Sequence, residues 1–495
     1  MKEETKVLWL VICLAAALPF LGFWLTGLTD LDEGYYGAVA AEMNRRGEWL
    51  IPFYNGSPWF EKPILLYWLA KPSLMLFGEV VGPRLPSVVC SLGTLAVVAW
   101  FCRRRLSDDT AKWAVLILSG SILFGAAGQM MLADPSLTLF LTAAFLTFYE
   151  SLLGDRRWRL VTAACLGFAV LAKGPVALVL FGAVAGLTYY LEPWIRHKFR
   201  GYWLLGTGIL LAVLSLWYLP VYLARPDGFV QEFLIRQNLQ RFTGGDAAHS
   251  MNWALGLAFY AAILLVGFMP WSLWWKRSFR EAKRDSLERP ILRFLLGWAL
   301  VVWLLFTISA AKLPHYILPA MPPLAIVLGH YLAQPKLRQV SMKWGIAWVV
   351  VLAAIMNAGL FAWYRGWFPG TASQAEAHEL ARFMRDQKGP VALFRLSRPD
   401  ASLGTGKVEI QQTMLPSMLF YLDSNVLMPR APREGEDPLS DVKELIAAPK
   451  PLWVFTREGR ITPEIQSFIE RSQHTLELAK AGPAGDYLVY KLDVQ

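Results

Sequence analysis

Residues 30–71 read DLDEGYYGAVAAEMNRRGEWLIPFYNGSPWFEKPILLYWLAK and follow the first long apolar run of the chain. The stretch holds an acidic pair at Asp32 and Glu33, the triplet Glu61-Lys62-Pro63 and many aromatic residues. Further apolar runs of membrane-spanning length come after it. We therefore predict that this stretch is the functional loop of a membrane-embedded protein, and that the other candidate residues lie close to it in the folded chain.

The composition excludes an ordinary soluble protein. Of the 495 residues 55% are hydrophobic and 17% are charged, whereas soluble domains usually carry about 25% charged residues. The long apolar runs lie within residues 1–365, and residues 366–495 have the composition of a soluble domain. We therefore predict a polytopic α-helical membrane domain over 1–365, with a first outer loop at 27–83 that contains interfacial helices, and an extracytoplasmic α/β domain over 366–495.

Apolar runs of about 17–25 residues predict about eleven transmembrane helices or more. The first run has no small-residue cleavage site after it, so we interpret it as a retained span. The runs around residues 173–175 have the alternative of a short re-entrant turn. The predicted spans lie near 7–26, 84–102, 112–129, 134–153, 158–173, 175–191, 203–222, 253–275, 290–309, 314–333 and 344–364.

The net charge of +10 is distributed as in a membrane protein rather than a nucleic-acid-binding protein. Lys and Arg cluster in alternate short loops, which is typical of the cytoplasmic side. With eleven spans this predicts a cytoplasmic N-terminus and a C-terminal domain on the outer side of the membrane. The four cysteines lie in or at the ends of apolar runs and indicate no disulfide framework.

Alternating patterns in residues 366–495 predict a small α/β fold. The predicted helices are 375–387, 417–422, 442–448 and 463–472, and the predicted strands are 390–396, 425–428, 452–456 and 487–492.

Two acids in the outer loops are candidates for chemistry, and each has a structural alternative. Asp32 precedes a helical pattern, so it is also a good helix N-cap, with Glu33 in the first turn. Asp134 precedes Pro135, which is the pattern of a cap followed by proline at the first helical position. A cap also holds a carboxylate rigidly, so the two interpretations are compatible.

The basic candidates lie in the same set of loops. Lys62 beside Glu61 is a natural contact for a lipid phosphate, or a surface ion pair of little energetic value. Arg241 lies in an outer loop, where it suits a phosphate, or belongs to a solvated amphipathic helix. Lys312 lies on the same side, with snorkelling to the interface as the alternative.

Five motifs together resemble a known family. They are Asp32-Glu33 with Tyr36, FYNGSPWFEKP (Phe53–Pro63), MLADPSLT around Asp134, LQRF (Leu239–Phe242) and KLPHYILP (Lys312–Pro319). In this order and topology they resemble the bacterial lipid A aminoarabinose transferases, which are relatives of the protein O-mannosyltransferases within the GT-C glycosyltransferases. The resemblance covers most of residues 1–365. It implies a multi-pass protein of a bacterial inner membrane whose C-terminal domain is periplasmic.

The resemblance implies a polyprenyl (undecaprenyl) monophosphate sugar as donor, lipid A phosphate as acceptor, and inverting transfer of 4-amino-4-deoxy-L-arabinose on the outer membrane face. It implies that Asp32, Glu61 and Asp134 are the acids of the reaction centre. It also implies substrate-binding residues: Lys62 and Arg241 for the donor phosphate, Tyr316 for the donor pocket, and Tyr36, Tyr35, Trp59 and Lys312 around them.

The chain departs from the family pattern at three places. It has Tyr35 where family members have Arg, Trp59 where they have Tyr, and Gln237-Asn238 where many have Glu-His. The change at position 35 removes a phosphate contact, and Asn238 removes a metal ligand. A divalent metal cofactor is left open, with Glu61 as its candidate ligand.

Other functions remain as alternatives. Within the class, the sugar is a hexosamine, uronic acid or mannose, and the acceptor is lipid A, another glycan or a protein. A transporter or flippase of lipid-linked sugars should place ionisable groups near the bilayer midplane, whereas here they lie at the outer ends of spans. A non-catalytic scaffold predicts no effect of changes at Asp32 or Lys62.

Overall fold

The computed structural model describes the chain except for short gaps. The described residues are 3–30, 32–193, 203–243, 251–286, 289–334, 340–368, 371–404, 409–432 and 435–495. Five of the gaps fall in the predicted loops between spans, at 31, 194–202, 244–250, 287–288 and 335–339. Asp246 and His249, in the predicted outer loop 223–252, therefore lie outside the described residues.

Most of the described chain is α-helical. The α-helices are α1 (Glu3–Ala17), α2 (Asp32–Arg45), α3 (Leu65–Val81), α4 (Leu85–Arg105), α5 (Asp108–Ser119), α6 (Ile122–Gln129), α7 (Ala133–Leu153), α8 (Trp158–Lys173), α9 (Val176–Leu191), α10 (Trp203–Ser215), α11 (Tyr218–Ala224), α12 (Pro226–Gly228), α13 (Arg241–Thr243), α14 (Trp253–Gly267), α15 (Trp275–Ser286), α16 (Pro290–Ile308), α17 (Met321–Leu332), α18 (Met342–Tyr364), α19 (Gln374–Arg385), α20 (Ser417–Leu422), α21 (Ser440–Ala447) and α22 (Pro463–Arg471). A π-helix covers Phe229–Gln240, and 3-10 helices cover Leu18–Trp24, Trp271–Trp274 and Pro314–Ala320.

The strands form three small sheets. They are β1 (Phe53–Tyr54), β2 (Ser57–Pro58), β3 (Val391–Leu393), β4 (Ser397–Gly404), β5 (Glu409–Thr413), β6 (Leu452–Arg457), β7 (His474–Ala481) and β8 (Tyr487–Val494). β1 and β2 pair as a hairpin, β4 pairs with β5, and the main sheet has the order β3-β6-β8-β7. In the main sheet β3 and β6 are parallel, and β8 is antiparallel to both of its neighbours.

The chain divides into two compact units. Unit 1 comprises Met1–Phe23, Phe60–Leu69 and Arg84–Asn357, and unit 2 comprises Trp24–Trp59, Ala70–Pro83 and Ala358–Gln495. Glu61, Lys62, Asp134, Arg241, Lys312 and Tyr316 belong to unit 1, whereas Asp32, Tyr35, Tyr36 and Trp59 belong to unit 2.

Several helices of the described chain can cross a membrane, and their residues lie mostly in unit 1. Among the described residues five are long and apolar enough: Glu3–Trp24, Leu85–Arg105, Ala133–Leu153, Pro290–Ile308 and Met342–Tyr364. Up to eight spans result if each of three bent helix pairs counts as one, and the bends measure 65°, 43° and 106°. The protein is therefore a membrane protein of several spans, and the number eleven stays a prediction.

Local sequence explains where several of these helices begin. Ser107 accepts a hydrogen bond from the backbone N–H of Thr110 at 3.0 Å and so caps α5. Proline lies in the first turn of α4 and α16. The N–H groups of a first turn have no acceptor within the helix, so a proline there costs no hydrogen bond. These signals are local, so they are readable before any tertiary structure is known.

The core of the main sheet in unit 2 is apolar and closed. The sheet packs its inner face against α21 and α22, and the side chains of the cluster are buried: Ala392, Phe394, Val442, Leu445, Leu452, Val454, Ile465, Ile469 and Leu492. The four predicted helices of this region are confirmed to within two residues at each end. The predicted strand at 425–428 is wrong, because only Leu427 bridges to Ala392, and the strands β4, β5 and β7 were not predicted.

Candidate active site

Glu61 and Lys62 follow the β1–β2 hairpin and form an ion pair. The Lys62 Nζ lies 3.0 Å from the Glu61 Oε1, and Lys62 is 9% exposed. An ion pair this far from bulk water is screened less than one on an open surface. The alternative of a solvated surface pair is therefore wrong for Glu61 and Lys62.

Asp134 lies in the first turn of α7 and is 3% exposed. Its carboxylate forms an ion pair with Lys173, the last residue of α8, and the His315 Nε2 lies 3.7 Å from the second carboxylate oxygen. The N-cap of α7 is Leu132, and no side chain caps the helix end. The predicted capping role of Asp134 is therefore wrong, because its oxygens are directed to Lys173 and His315, which lie on other helices.

Tyr316 joins this charged group from the 3-10 helix Pro314–Ala320. The Lys173 Nζ lies 3.9 Å from the centre of the Tyr316 ring, which is a cation–π contact. Tyr316 is 8% exposed. Lys173 is thus held between a carboxylate and an aromatic face.

Four of the residues just described, Glu61, Lys62, Lys173 and Tyr316, line a cavity of about 100 Å³. Its lining combines charged and aromatic groups with amides, among them Glu61, Lys62, Lys173, Phe233, Asn238 and Tyr316. A lysine ammonium has three N–H donors. Lys62 and Lys173 can therefore each donate to their carboxylate partner and to an anionic ligand at the same time. The cavity therefore suits a phosphate next to an apolar or sugar-like group.

The π-helix Phe229–Gln240 forms one wall of the cavity. Asn238 donates its amide N–H to the backbone carbonyl of Phe233 at 2.6 Å. Arg241, the predicted phosphate ligand, follows directly in α13, and its side chain lies outside the described part of the chain. Its role stays a prediction.

The described residues around this cavity do not provide a ligand set for a metal ion. Among the described residues, no group of three or more His, Cys, Asp or Glu side chains is close enough to hold one. Glu61, the candidate ligand, is paired with Lys62, and Asp134 is paired with Lys173. Each carboxylate here is neutralised by a lysine, so we derive no step through a metal.

Lys312 has a placement that differs from simple snorkelling. It is 5% exposed and donates to the backbone carbonyls of Thr307 and Ser309 at the end of α16. Burial lowers the pKa of the Lys312 ammonium. The side chain thus satisfies carbonyls that the helix leaves unpaired, and its predicted contact with substrate stays a prediction.

In unit 2 the two acids, Asp32 and Glu33, have different environments. Glu33 is fully buried, and its Oε2 accepts hydrogen bonds from the Thr29 backbone N–H at 2.9 Å and from the Thr29 hydroxyl. Asp32 begins α2, is partly exposed, and forms no hydrogen bond or ion pair with the other residues that the structure describes. Glu33 therefore supports the fold, and Asp32 is the carboxylate available to a ligand.

The two departures from the family pattern in unit 2 are in contact with each other. The rings of Tyr35 and Trp59 stack with centres 5.5 Å apart, and Tyr54 contacts both. Tyr35 also donates its hydroxyl to the carbonyl of Thr413 at 3.0 Å. All three rings are buried, as is Tyr36. The two departures therefore belong to one buried aromatic cluster, and the substrate-binding roles of these residues stay predictions.

Sequence reasoning missed Lys173, His315 and Asp30. Lys173 precedes Gly-Pro at the end of a predicted span, and a lysine on the outer side departs from the charge bias, so a signal was present. His315 lies within the KLPHYILP motif. Asp30 is partly buried and accepts hydrogen bonds from Ser417. Desolvation raises the pKa of its carboxyl to about 7, because it outweighs the opposing effect of those hydrogen bonds.

Comparisons of sequence agree with the resemblance read from the motifs. Residues 61–218 match the family described as dolichyl-phosphate-mannose-protein mannosyltransferase. The chain is 32% identical over 346 residues to an undecaprenyl phosphate-alpha-4-amino-4-deoxy-L-arabinose arabinosyl transferase of Pseudomonas paraeruginosa, across 67% of this chain and 60% of that protein. It is 31% identical over 312 residues to the enzyme of the same name in Edwardsiella ictaluri, across 54% of its length. The chain thus spans about three fifths of the length of such relatives.

The fold also matches solved structures. The crystal structure of ArnT from Cupriavidus metallidurans bound to undecaprenyl phosphate has a TM-score of 0.74 at 19% identity and covers 98% of each chain. The archaeal oligosaccharyltransferase AglB from Archaeoglobus fulgidus has a TM-score of 0.58 at 12% identity, across 98% of this chain and 74% of that one. The chain therefore has the membrane fold of ArnT, and its sequence is similar to the aminoarabinose transferases named above.

Proposed function

We propose that this protein transfers 4-amino-4-deoxy-L-arabinose from an undecaprenyl monophosphate donor to a phosphate of lipid A, with inversion at the anomeric carbon. The observation that supports this best is the cavity in which Lys62 and Lys173 lie beside the aromatic ring of Tyr316. Such a cavity can neutralise a phosphate and hold the sugar next to it. The names of the relatives supply the identity of the sugar and the donor.

In the proposed reaction the main task is to stabilise the leaving phosphate. The bond between the anomeric carbon and the donor phosphate breaks, an oxygen of the acceptor attacks the opposite face, and the polyprenyl phosphate leaves with the electron pair. Lys62 and Arg241 neutralise the charge that develops on it. Asp134 holds Lys173 through their ion pair, so that the charge of Lys173 stays directed at the same place, and the His315 Nε2 lies 3.7 Å from the other carboxylate oxygen of Asp134.

The proposed part of Asp32 depends on the acceptor. A lipid A phosphate is already ionised near neutral pH, so Asp32 then orients the acceptor or stabilises positive charge on the sugar. A hydroxyl acceptor needs a general base, and Asp32 is the candidate for it. Glu61 keeps Lys62 oriented through their 3.0 Å ion pair.

A second candidate is transfer of another sugar, such as mannose, to protein. The match of residues 61–218 to the mannosyltransferase family favours it. Three further statements are part of what we propose for this protein. The chain divides at residue 365, its C-terminal part is periplasmic, and it has eleven spans.

The test uses purified protein in membrane vesicles, with the undecaprenyl phosphate-linked aminoarabinose as donor and lipid A as acceptor. Mass spectrometry of lipid A should show one added aminoarabinose per modified phosphate. An unchanged lipid A profile, together with sugar recovered on added protein acceptor, would favour the second candidate. Lipid A from cells with and without the gene gives the same comparison in vivo.

A further inference from the structure

A chain of hydrogen bonds in unit 2 involves none of the residues to which the proposed transfer assigns a role. It runs from Tyr364 through His378 and Ser417 to Asp30, two residues before Asp32. The Tyr364 hydroxyl lies 3.0 Å from the His378 Nδ1, and the His378 Nε2 lies 2.9 Å from the Ser417 Oγ. The Ser417 Oγ and backbone N lie 2.7 and 2.8 Å from the two oxygens of the Asp30 carboxylate.

The direction of these hydrogen bonds follows from the donors available. An ionised carboxylate only accepts, so Ser417 donates its hydroxyl and its backbone N–H to Asp30. The Ser417 Oγ then accepts from His378, which in turn accepts from Tyr364. If Asp30 takes up a proton, the same three side chains can all reverse direction and still be hydrogen-bonded. Asp30 is thus held in either charge state.

The backbone before α2 lies unusually close to this chain. A Cβ atom on Gly27 would come within 2.8 Å of His378, Tyr421 and Tyr364. A Cβ atom on Gly34 would come within 2.5 Å of the Ser417 backbone N. These approaches are possible because glycine has no side chain.

Two further contacts hold the same segment. The Leu28 backbone N–H donates to the Tyr421 hydroxyl at 2.9 Å, and the Tyr421 ring lies against His378 with centres 4.1 Å apart. Gly27, Leu28, Asp30 and Gly34 are therefore in contact with residues of α19 and α20, which come from the C-terminal part of the chain.

We propose that Ser417 and His378 are positioning residues, which hold Asp30 and thereby fix the start of α2 that presents Asp32. The inference rests on the proposed function, because it matters for catalysis only if Asp32 contacts the acceptor or the sugar. It gives the C-terminal part of the chain a defined task in the reaction.

Several ionisable groups near Asp30 influence its protonation, while the hydrogen bonds from Ser417 hold its carboxylate in place. Glu33 on α2, Tyr54 on β1 and Tyr487 on β8 are electrostatically coupled to Asp30, and His378 on α19 reaches it through Ser417. The described groups of this neighbourhood include no cation paired with Asp30, so hydrogen bonds are what hold its carboxylate.

The kinetic test compares four variants of the full-length protein in vesicles. Ser417→Ala and Asp30→Ala remove the hydrogen bonds and should lower kcat about tenfold or more, because small misplacements of a reacting group are costly. The KM for the donor should stay within about twofold, since the donor phosphate is held elsewhere. Asp30→Asn can accept from the Ser417 N–H and donate to its Oγ, so it should keep more than about half of the wild-type kcat.

The fourth variant, Ser373→Ala, is the matched control on α19. It removes the N-cap bond from the Glu376 N–H to the Ser373 Oγ, and so destabilises α19, the helix that carries His378, without touching Asp30. Its kcat should equal that of the wild type. A kcat loss in Ser373→Ala equal to that in Ser417→Ala would overturn the proposal, as would an equal loss in Asp30→Asn and Asp30→Ala.

Hydrogen–deuterium exchange of the peptide covering residues 25–37 gives a readout that needs no activity. Exchange should rise in Ser417→Ala and Asp30→Ala but not in Ser373→Ala or Asp30→Asn. Unchanged exchange in Ser417→Ala would overturn the positioning role whatever the enzyme transfers. Raised exchange in a protein whose wild type transfers no sugar would instead count against the proposed function alone.

Discussion

At the residue scale, Lys62 is the side chain whose removal should separate catalysis from folding. Lys62→Ala takes one cation from the cavity, and we expect kcat to fall about 10²–10³-fold, as for loss of one charge-stabilising donor. Lys62→Arg should restore part of the loss. The measurement is transfer to lipid A with expression checked in parallel, and Lys388→Ala at an exposed site is the control. Near-wild-type transfer by Lys62→Ala would remove this lysine from the mechanism.

Substitution of Asp32 should affect transfer, whereas substitution of Glu33 should affect stability. Asp32→Asn should abolish transfer and leave the unfolding temperature unchanged, because Asp32 is partly exposed and holds no other described residue. Glu33→Gln should lower the unfolding temperature, because the buried carboxylate accepts two hydrogen bonds from Thr29. The comparison is thermal unfolding against transfer per folded molecule. Equal loss of transfer per folded molecule in both variants would mean that the wrong carboxylate was assigned.

Asp30 predicts a pH dependence of stability. Its pKa is raised from 3.8 to about 7 by burial, so between these values the folded state binds more protons than the unfolded state. The free energy of unfolding therefore falls as pH rises through this window and stays low above it. Asp30→Asn removes a cost on the order of 4 kcal/mol at pH 8 and little at pH 4. Thermal unfolding in detergent at both pH values checks this; a gain that is larger at pH 4 would contradict it.

At the element scale, the end of α8 places Lys173 in the cavity. Gly174 follows with a positive φ of 87°, and a Cβ atom there would lie 3.0 Å from the Asn238 Oδ1. Gly174→Ala should therefore cost about 1 kcal/mol or more of stability and lower transfer by displacing Lys173. Gly182→Ala is the control, because it lies on α9 with open space at its Cβ. Unchanged transfer in Gly174→Ala would show that the helix end does not control the lysine.

The helices also show which parts of the fold are readable from local pattern. The apolar runs at 84–102, 134–153, 290–309 and 344–364 coincide with long helices, since a run of spanning length specifies a helix almost alone. The run at 314–333 begins instead as a 3-10 helix over Pro314–Ala320, because the prolines there remove backbone donors. Strand β7 escaped prediction because half of its residues are exposed and its pattern is weak.

At the scale of the whole molecule, the proposed orientation predicts where its ends lie. A periplasm-dependent reporter enzyme, such as alkaline phosphatase, should be active when fused after Gln495 and inactive when fused after Leu106, which follows three arginines. Both fusions are measured in bacterial cells against expression level. Activity at Leu106 or inactivity at Gln495 would contradict the orientation derived from the positive loops.

The sequence by itself determined the class of the protein, most of its helices and several of the cavity residues. Apolar length, loop charge and short motifs are local properties, so they pointed to Lys62, Asp134 and Tyr316 before any contact was known. Only the tertiary structure paired Asp134 with Lys173, stacked Tyr35 on Trp59 and joined Asp30 to Ser417, which is 387 residues away. The physical reason is that such partners are chosen by burial: a carboxylate or ring removed from water must find whatever donor or surface the folded chain brings to it.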